Sequence, residues 1–118
     1  MATSSSPIPP PMAIRQLPRA DWNDYFDAFS RAKDDAGRVD YAEIRVFSSE
    51  IGAQPETSWL PLQGLTYDPK DDKLDVFVKG LEHLIAHPKV IFVDETSGRL
   101  DSIEVVRQDG TYEVVDIR

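Results

Sequence analysis

The chain of 118 residues contains no cysteine. That absence excludes a disulfide framework, a thiolate metal site and a cysteine nucleophile. It fits a reducing compartment, and the cytoplasm is the expected location. Long apolar runs are missing too. The longest uninterrupted one, Val90 to Val93, is far too short to span a bilayer. The N-terminus lacks the charged start and apolar stretch of a secretory signal. Glycines are scattered singly, so no phosphate-cradling loop is present, and no Gly-x-Ser-x-Gly elbow occurs. Positive charge is scarce: 13 Lys and Arg stand against 21 Asp and Glu, a formal net charge of −8. An acidic surface repels phosphate backbones and anionic lipids, so neither nucleic acid nor a membrane is an expected partner. The acidity serves solubility, or it offers a face to a basic protein partner.

What is present bounds the architecture. The length is that of one domain, enough to bury roughly two thirds of the unfolded surface without a metal or disulfide. Residues 1–11 are rich in Ser and Pro and have almost nothing to pack. They read as a disordered tail, or as a Pro-rich ligand for a partner domain. Residues 12–118 form the expected domain.

Asp21 to about Asp35 carries Trp22, Tyr25, Phe26 and Phe29 on one helical face. Pro18 and Asp21 are start signals, and Gly37 supplies a stop. The aromatic stripe suits a helix packed on a sheet, or a partner-binding face. Tyr41 to Phe47 alternates as a half-buried strand. Ser48 to Leu60 reads as a long loop, of the kind that tends to be functional, ending at Trp59. Trp59 either plugs an open end of the sheet or serves a binding surface. From Leu62 onward strand-like runs alternate with turn signals at Asp68 to Asp72, Asp94 to Gly98 and Gln108 to Gly110, which predicts antiparallel hairpins. Gly80 to His87 reads as a short helix that buries Leu81, Leu84 and Ile85 and ends at Pro88. The expected fold is therefore α+β: a curled antiparallel sheet of five or six strands with an N-terminal amphipathic helix and a short second helix.

Two groups of side chains invite chemistry. His83 and His87 lie four apart, a spacing that lets two imidazoles share one helical face and a metal. The zinc-protease motif needs Glu directly after the first His, and here Leu84 stands there. The plainer reading makes His83 a surface residue and His87 a helix-end residue before Pro88. Asp68, Asp71, Asp72 and Asp75 cluster, but Lys73 and Lys79 occupy the positions where a calcium loop needs Gly and Glu. Hairpin-turn chemistry explains them better. No catalytic residue, cofactor or metal site is assigned from these patterns.

Several stretches together resemble a family of small bacterial proteins catalogued only as a domain of unknown function. They are Met12 to Trp22 with Phe26, Phe29 and Ser30; Gly52 to Glu56; Trp59 to Leu62; Gly64 to Asp72; His83 to Ile85 with Pro88; and Asp109-Gly110. The resemblance covers residues 12–118. It implies a bacterial origin and a stand-alone domain, and it carries no activity and no catalytic residue with it. The expected function is a non-enzymatic binding or accessory module of the bacterial cytoplasm, with a protein partner or self-association. The alternative is a small metal-dependent enzyme or small-ligand sensor using the region around His83 and His87, a sensor's pocket lying between sheet and helix.

Overall fold

A computed structural model describes residues 12–48 and 52–118. Strand β1 (Met12–Gln16) leads through a single 3-10 turn (Arg19–Asp21) into helix α1 (Trp22–Ala36). Seven strands follow: β2 (Asp40–Ser48), β3 (Gly52–Asp68), β4 (Lys73–Val78), β5 (Leu81–Ala86), β6 (Pro88–Thr96), β7 (Arg99–Arg107) and β8 (Tyr112–Ile117). All eight strands belong to one antiparallel sheet, in the order β1-β6-β7-β8-β2-β3-β4-β5.

The sheet is strongly curled without being closed. Strands β5 and β8 are four steps apart, which in a flat sheet is about 19 Å. Yet His83 Nε2 on β5 lies 2.6 Å from Glu113 Oε1 on β8. Only His87 separates β5 from β6, although those strands lie toward opposite ends of the strand order. The inner face collects Ile44, Leu65, Leu74, Val76, Ile85, Ile91, Val93, Ile103, Val105 and Val115, each fully buried. This is the alternation expected of strands with one face on a core.

Helix α1 completes that core from the open side. Its stripe splits in two: Trp22 and Phe26 are buried, while Tyr25 and Phe29 are half-buried against the core's rim. Trp22 meets the Tyr67 ring edge-on, with centroids 5.1 Å apart, and its indole N–H donates to the Leu17 carbonyl at 2.9 Å. The helix ends as the sequence predicts. Gly37 adopts a left-handed conformation (φ +62°), its N–H bonds to Asp34 O, and the Arg38 N–H reaches Lys33 O. No helix among the described residues is long and apolar enough to cross a membrane.

The expected α+β fold of five or six strands with two helices is corrected to eight strands and one helix. The predicted second helix is strand β5, joined to β4 by the two-residue turn Lys79–Gly80. Leu81, Leu84 and Ile85 do fall at helical spacing. A stretch of six residues is too short to hold a helix alone, however, and pairing with β4 satisfies its backbone. The long loop is corrected as well. Strand β3 begins at Gly52 and runs 17 residues, absorbing Trp59–Leu62 and Gly64–Tyr67 into one strand with a bulge between Leu62 and Gly64. Strand β1 was not expected. It is held by β6 rather than by any alternation of its own. The expected tail, residues 1–11, lies outside the described residues.

Phe26 is fully buried where the helix enters the core. Phe26→Ala should lower the free energy of unfolding by about 3–5 kcal/mol through lost burial and an unfilled cavity. Urea denaturation of the two proteins measures it.

Candidate functional site

A cleft of about 630 Å³ opens between α1 and the β6–β7 turn. That volume falls in the range of sites for small organic molecules. Helix α1 contributes Tyr25, Ala28, Phe29 and Ala32, which follow one another along a single face. The facing wall is Glu95, Ser97, Gly98, Arg99 and Leu100. Ser97 and Gly98 both have positive φ, +53° and +80°, so a tight two-residue turn brings Arg99 to the rim. The remaining wall is Arg38, Val39 and Asp40, at the exit of the helix, with Arg118 at the end of β8. Each piece is set by a local signal: the helical stripe, the left-handed Gly37 and the hairpin turn.

The cleft's charged groups are ordered by neighbours. Arg38 Nε donates to both oxygens of the buried Asp40, at 2.9 and 3.1 Å, and its guanidinium lies 5.6 Å from the Phe29 ring centre. Glu95 accepts from Arg15 Nε at 3.1 Å and from the Tyr25 hydroxyl at 2.5 Å. The Arg15 hydrogen bond, chiefly, holds the Glu95 carboxyl below its usual range. Burial, reinforced by Glu95, pushes the Tyr25 hydroxyl well above the ordinary tyrosine range. Arg118 is stacked over the Trp59 ring at 3.9 Å. Trp59, expected at the end of a loop, thus sits on β3 as the backing of an arginine.

The structure does not bring the two histidines to one site. His83 points to the inner face, where Glu113, only 1% exposed, meets it with one oxygen and receives Arg107 Nη1 at 3.3 Å on the other. Arg107 Nε also donates to the Ala86 carbonyl at 3.2 Å. With both Glu113 oxygens engaged, this group ties β5 and β7 to β8. His87 lies instead at the β5–β6 corner with φ +52°, its Nδ1 3.3 Å from Asp72 Oδ2. Asp72, also left-handed at +52°, accepts from the Tyr67 hydroxyl at 2.7 Å and from Arg19 at 3.3 Å. Arg19 in turn donates to the Pro88 carbonyl at 2.9 Å, which fastens the corner.

The other aspartates divide. Asp68 accepts from the Lys70 and Asp71 amides, an Asx turn of the kind the sequence predicts. Asp75 is buried on the outer face of β4, and desolvation raises its carboxyl above the usual range. Among the described residues no group of three or more His, Asp or Glu is placed to hold a metal ion.

A pocket between sheet and helix was among the expected alternatives, but around His83 and His87, which do not line this cleft, and none of the lining arginines was foreseen. Its arginines carry no motif and come from separate segments. The one signal available was local: Arg38 directly follows a helix-stop glycine and Arg99 a hairpin turn.

Comparison with known proteins adds kinship without activity. The profile of a family described as "Family of unknown function (DUF5335)" matches residues 13–118. An uncharacterized protein of Aquifex aeolicus (strain VF5) is 40% identical over 108 residues, covering 91% of this chain and 94% of that protein. No solved structure matches.

A lowered carboxyl pKa means that the unfolded state binds more protons than the folded one at mildly acid pH, so stability rises with pH through that window. The Glu95 contribution is therefore full above 4.5 and is lost as the pH falls through its lower native value. Glu95→Gln should melt below the wild type at pH 7, and the gap should close as the pH is lowered below 4.5. Thermal melts across pH 3–7 would show it.

Proposed function

We propose a binding function for this chain, which belongs to the DUF5335 family of unknown function. In this reading it is a non-enzymatic module of the bacterial cytoplasm whose ligand is a small molecule held between α1 and the β6–β7 turn. The observation that carries it is the cleft: concave, of small-molecule size, floored by Ala28, Phe29, Ala32, Val39 and Leu100 and rimmed by guanidinium and hydroxyl donors.

The state of the cleft's titratable groups favours binding over catalysis. A general acid or base works best with a pKa near the operating pH. Glu95 is shifted down and committed to Arg15 and Tyr25, while Tyr25 is shifted up. Neither is poised to exchange a proton near neutrality. A metal-dependent reaction at His83 and His87 draws no support, because each imidazole has its own carboxylate, Glu113 and Asp72. The cytoplasmic part of the proposal rests on the missing cysteines.

Ala28 is exposed on the cleft face of α1, so a larger side chain there fills the cleft and spares the core. Purified protein should be incubated with the small-molecule fraction of a bacterial extract, desalted and weighed by native mass spectrometry. The expected result is a bound mass of about a few hundred daltons on the wild type, absent from Ala28→Trp at unchanged melting temperature. No bound mass, or equal occupancy in the variant, contradicts the proposal.

A further inference from the structure

We propose that a second surface, on the outer face of the sheet, docks an acidic peptide segment of a partner protein across Lys79, Pro61, Tyr41 and Arg118, with Trp59 beside them. Of these only Arg118 also borders the cleft, and the inference does not depend on the cleft being a ligand site.

Backbone pairing sets the row. Tyr41 and Arg118 exchange N–H···O bonds in both directions, at 2.7 and 2.9 Å, so they stand directly opposite each other on β2 and the end of β8. Their neighbours Ala42 and Ile117 are paired and buried in the core with Trp22 and Phe26 of α1. Alternation therefore turns Tyr41 and Arg118 to the other face of the sheet, away from the helix. Tyr41 pairs on its other side with Pro61 of β3. The Pro61 carbonyl accepts the Lys79 N–H at 2.9 Å, at the end of β4 and next to the buried pair Leu62 and Val78. The row thus crosses β4, β3, β2 and the end of β8, about 14 Å at ordinary strand spacing. Trp59 joins it through the Arg118 guanidinium, which lies 3.9 Å from its ring centre.

The polar groups of the row are unspent. Asp116 and Glu43 are paired on the same face beside Arg118 and Tyr41, yet both turn to Arg45, at 2.5 and 4.0 Å. Arg118 and Lys79 are exposed and meet no carboxylate among the described residues. Among those residues the Trp59 indole N–H and the hydroxyl of Tyr41, a residue 42% exposed, make no hydrogen bond either. Two free cations and two free donors therefore surround aromatic and proline surface, on a molecule whose net charge is −8. The complement of such a place is an acidic ligand with an apolar residue in it. Trp, Tyr and Arg are the side chains that most often dominate protein contacts. The row lies on the convex side of the curled sheet, which suits a peptide laid across it rather than an enclosed small molecule. An extended peptide sets side chains i and i+4 on one face about 13–14 Å apart. Acids at those positions meet Lys79 and Arg118, and an apolar residue between them at i+2 meets Tyr41 and Pro61.

The test titrates the full chain, labelled with nitrogen-15, with the capped peptide Glu-Ser-Leu-Ser-Glu and with its counterparts carrying Gln or Lys in place of both Glu. The Glu peptide should shift the Trp59 indole N–H and the amides of Tyr41 and Lys79 saturably, and bind about tenfold more tightly than the Gln peptide. Arg118→Gln and Lys79→Gln should each weaken it about fivefold at an unaltered melting temperature. Ala28→Trp, which fills the cleft, should leave it unchanged. The proposal is overturned if no peptide shifts these signals saturably, if the Gln or Lys peptide binds as tightly, if neither cation variant weakens binding, or if Ala28→Trp abolishes it. It is also overturned if sedimentation finds a dimer that Arg118→Gln dissociates, because a second copy then occupies the row.

Discussion

Ser30 does the work of a missing strand. Strand β2 pairs with β3 only as far as Leu62, whereas β3 continues to Asp68 with β4 on one side. Leu65 would therefore turn a bare N–H and C=O toward the helix. The Ser30 hydroxyl donates to that carbonyl at 2.8 Å and accepts from that amide at 2.9 Å. Leaving both groups unpaired in a half-buried place would cost about 1–3 kcal/mol each. This contact fixes how α1 lies across the open side of the sheet. From it follow the depth of Trp22 and Phe26 in the core and the outward turn of Tyr25, Ala28, Phe29 and Ala32 that makes a wall of the cleft.

Charge is arranged around the same helix. Three of its four stripe aromatics are roofed by guanidinium groups: Trp22 by Arg19 at 4.4 Å, Tyr25 by Arg15 and Phe29 by Arg38 at 5.6 Å each. The fourth, Phe26, is fully buried. Arg15 and Arg19 also hold carboxylates on the sheet, Glu95 and Asp72, so they act as ties from the helix's N-terminal side to β6 and to the β3–β4 turn. A surface pair of this kind contributes at most about 1 kcal/mol. Their larger role is geometric: Arg15 holds Glu95, which the Tyr25 hydroxyl also bonds, at the cleft's edge, and Arg19 fastens the corner at Asp72 and Pro88.

The helix and the three later hairpins were legible because each rests on local signals: the aromatic spacing, Gly37, and the turns after Tyr67, Thr96 and Arg107. Strand β5 was not, because Leu81, Leu84 and Ile85 satisfy a helical period as well as a strand in so short a run, and only the pairing with β4 decides. Strand β1 owes its conformation to β6 in the same way. The unity of β3 was hidden by Pro55, Pro61 and Gly64, which read as punctuation but lie within one bulged strand. His83 and His87 drew attention by spacing alone, and the curl of the sheet sends them to Glu113 and Asp72. The cleft joins residues from four stretches of chain, so composition recorded its arginines only as part of a negative total.

The central claim is that α1 belongs to the same cooperative unit as the sheet, locked by Ser30 and Phe26, and that the cleft wall is consequently rigid. Native-state hydrogen exchange measures this residue by residue. The amide of Leu65, bonded to Ser30, and the amides in the middle of α1 should exchange only through global opening, with the same free energy as those of Ile44 and Val115 in the core. Exchange of α1 and Leu65 through a low-energy local opening, while Ile44 and Val115 stay protected, would show a loosely docked helix and contradict the claim.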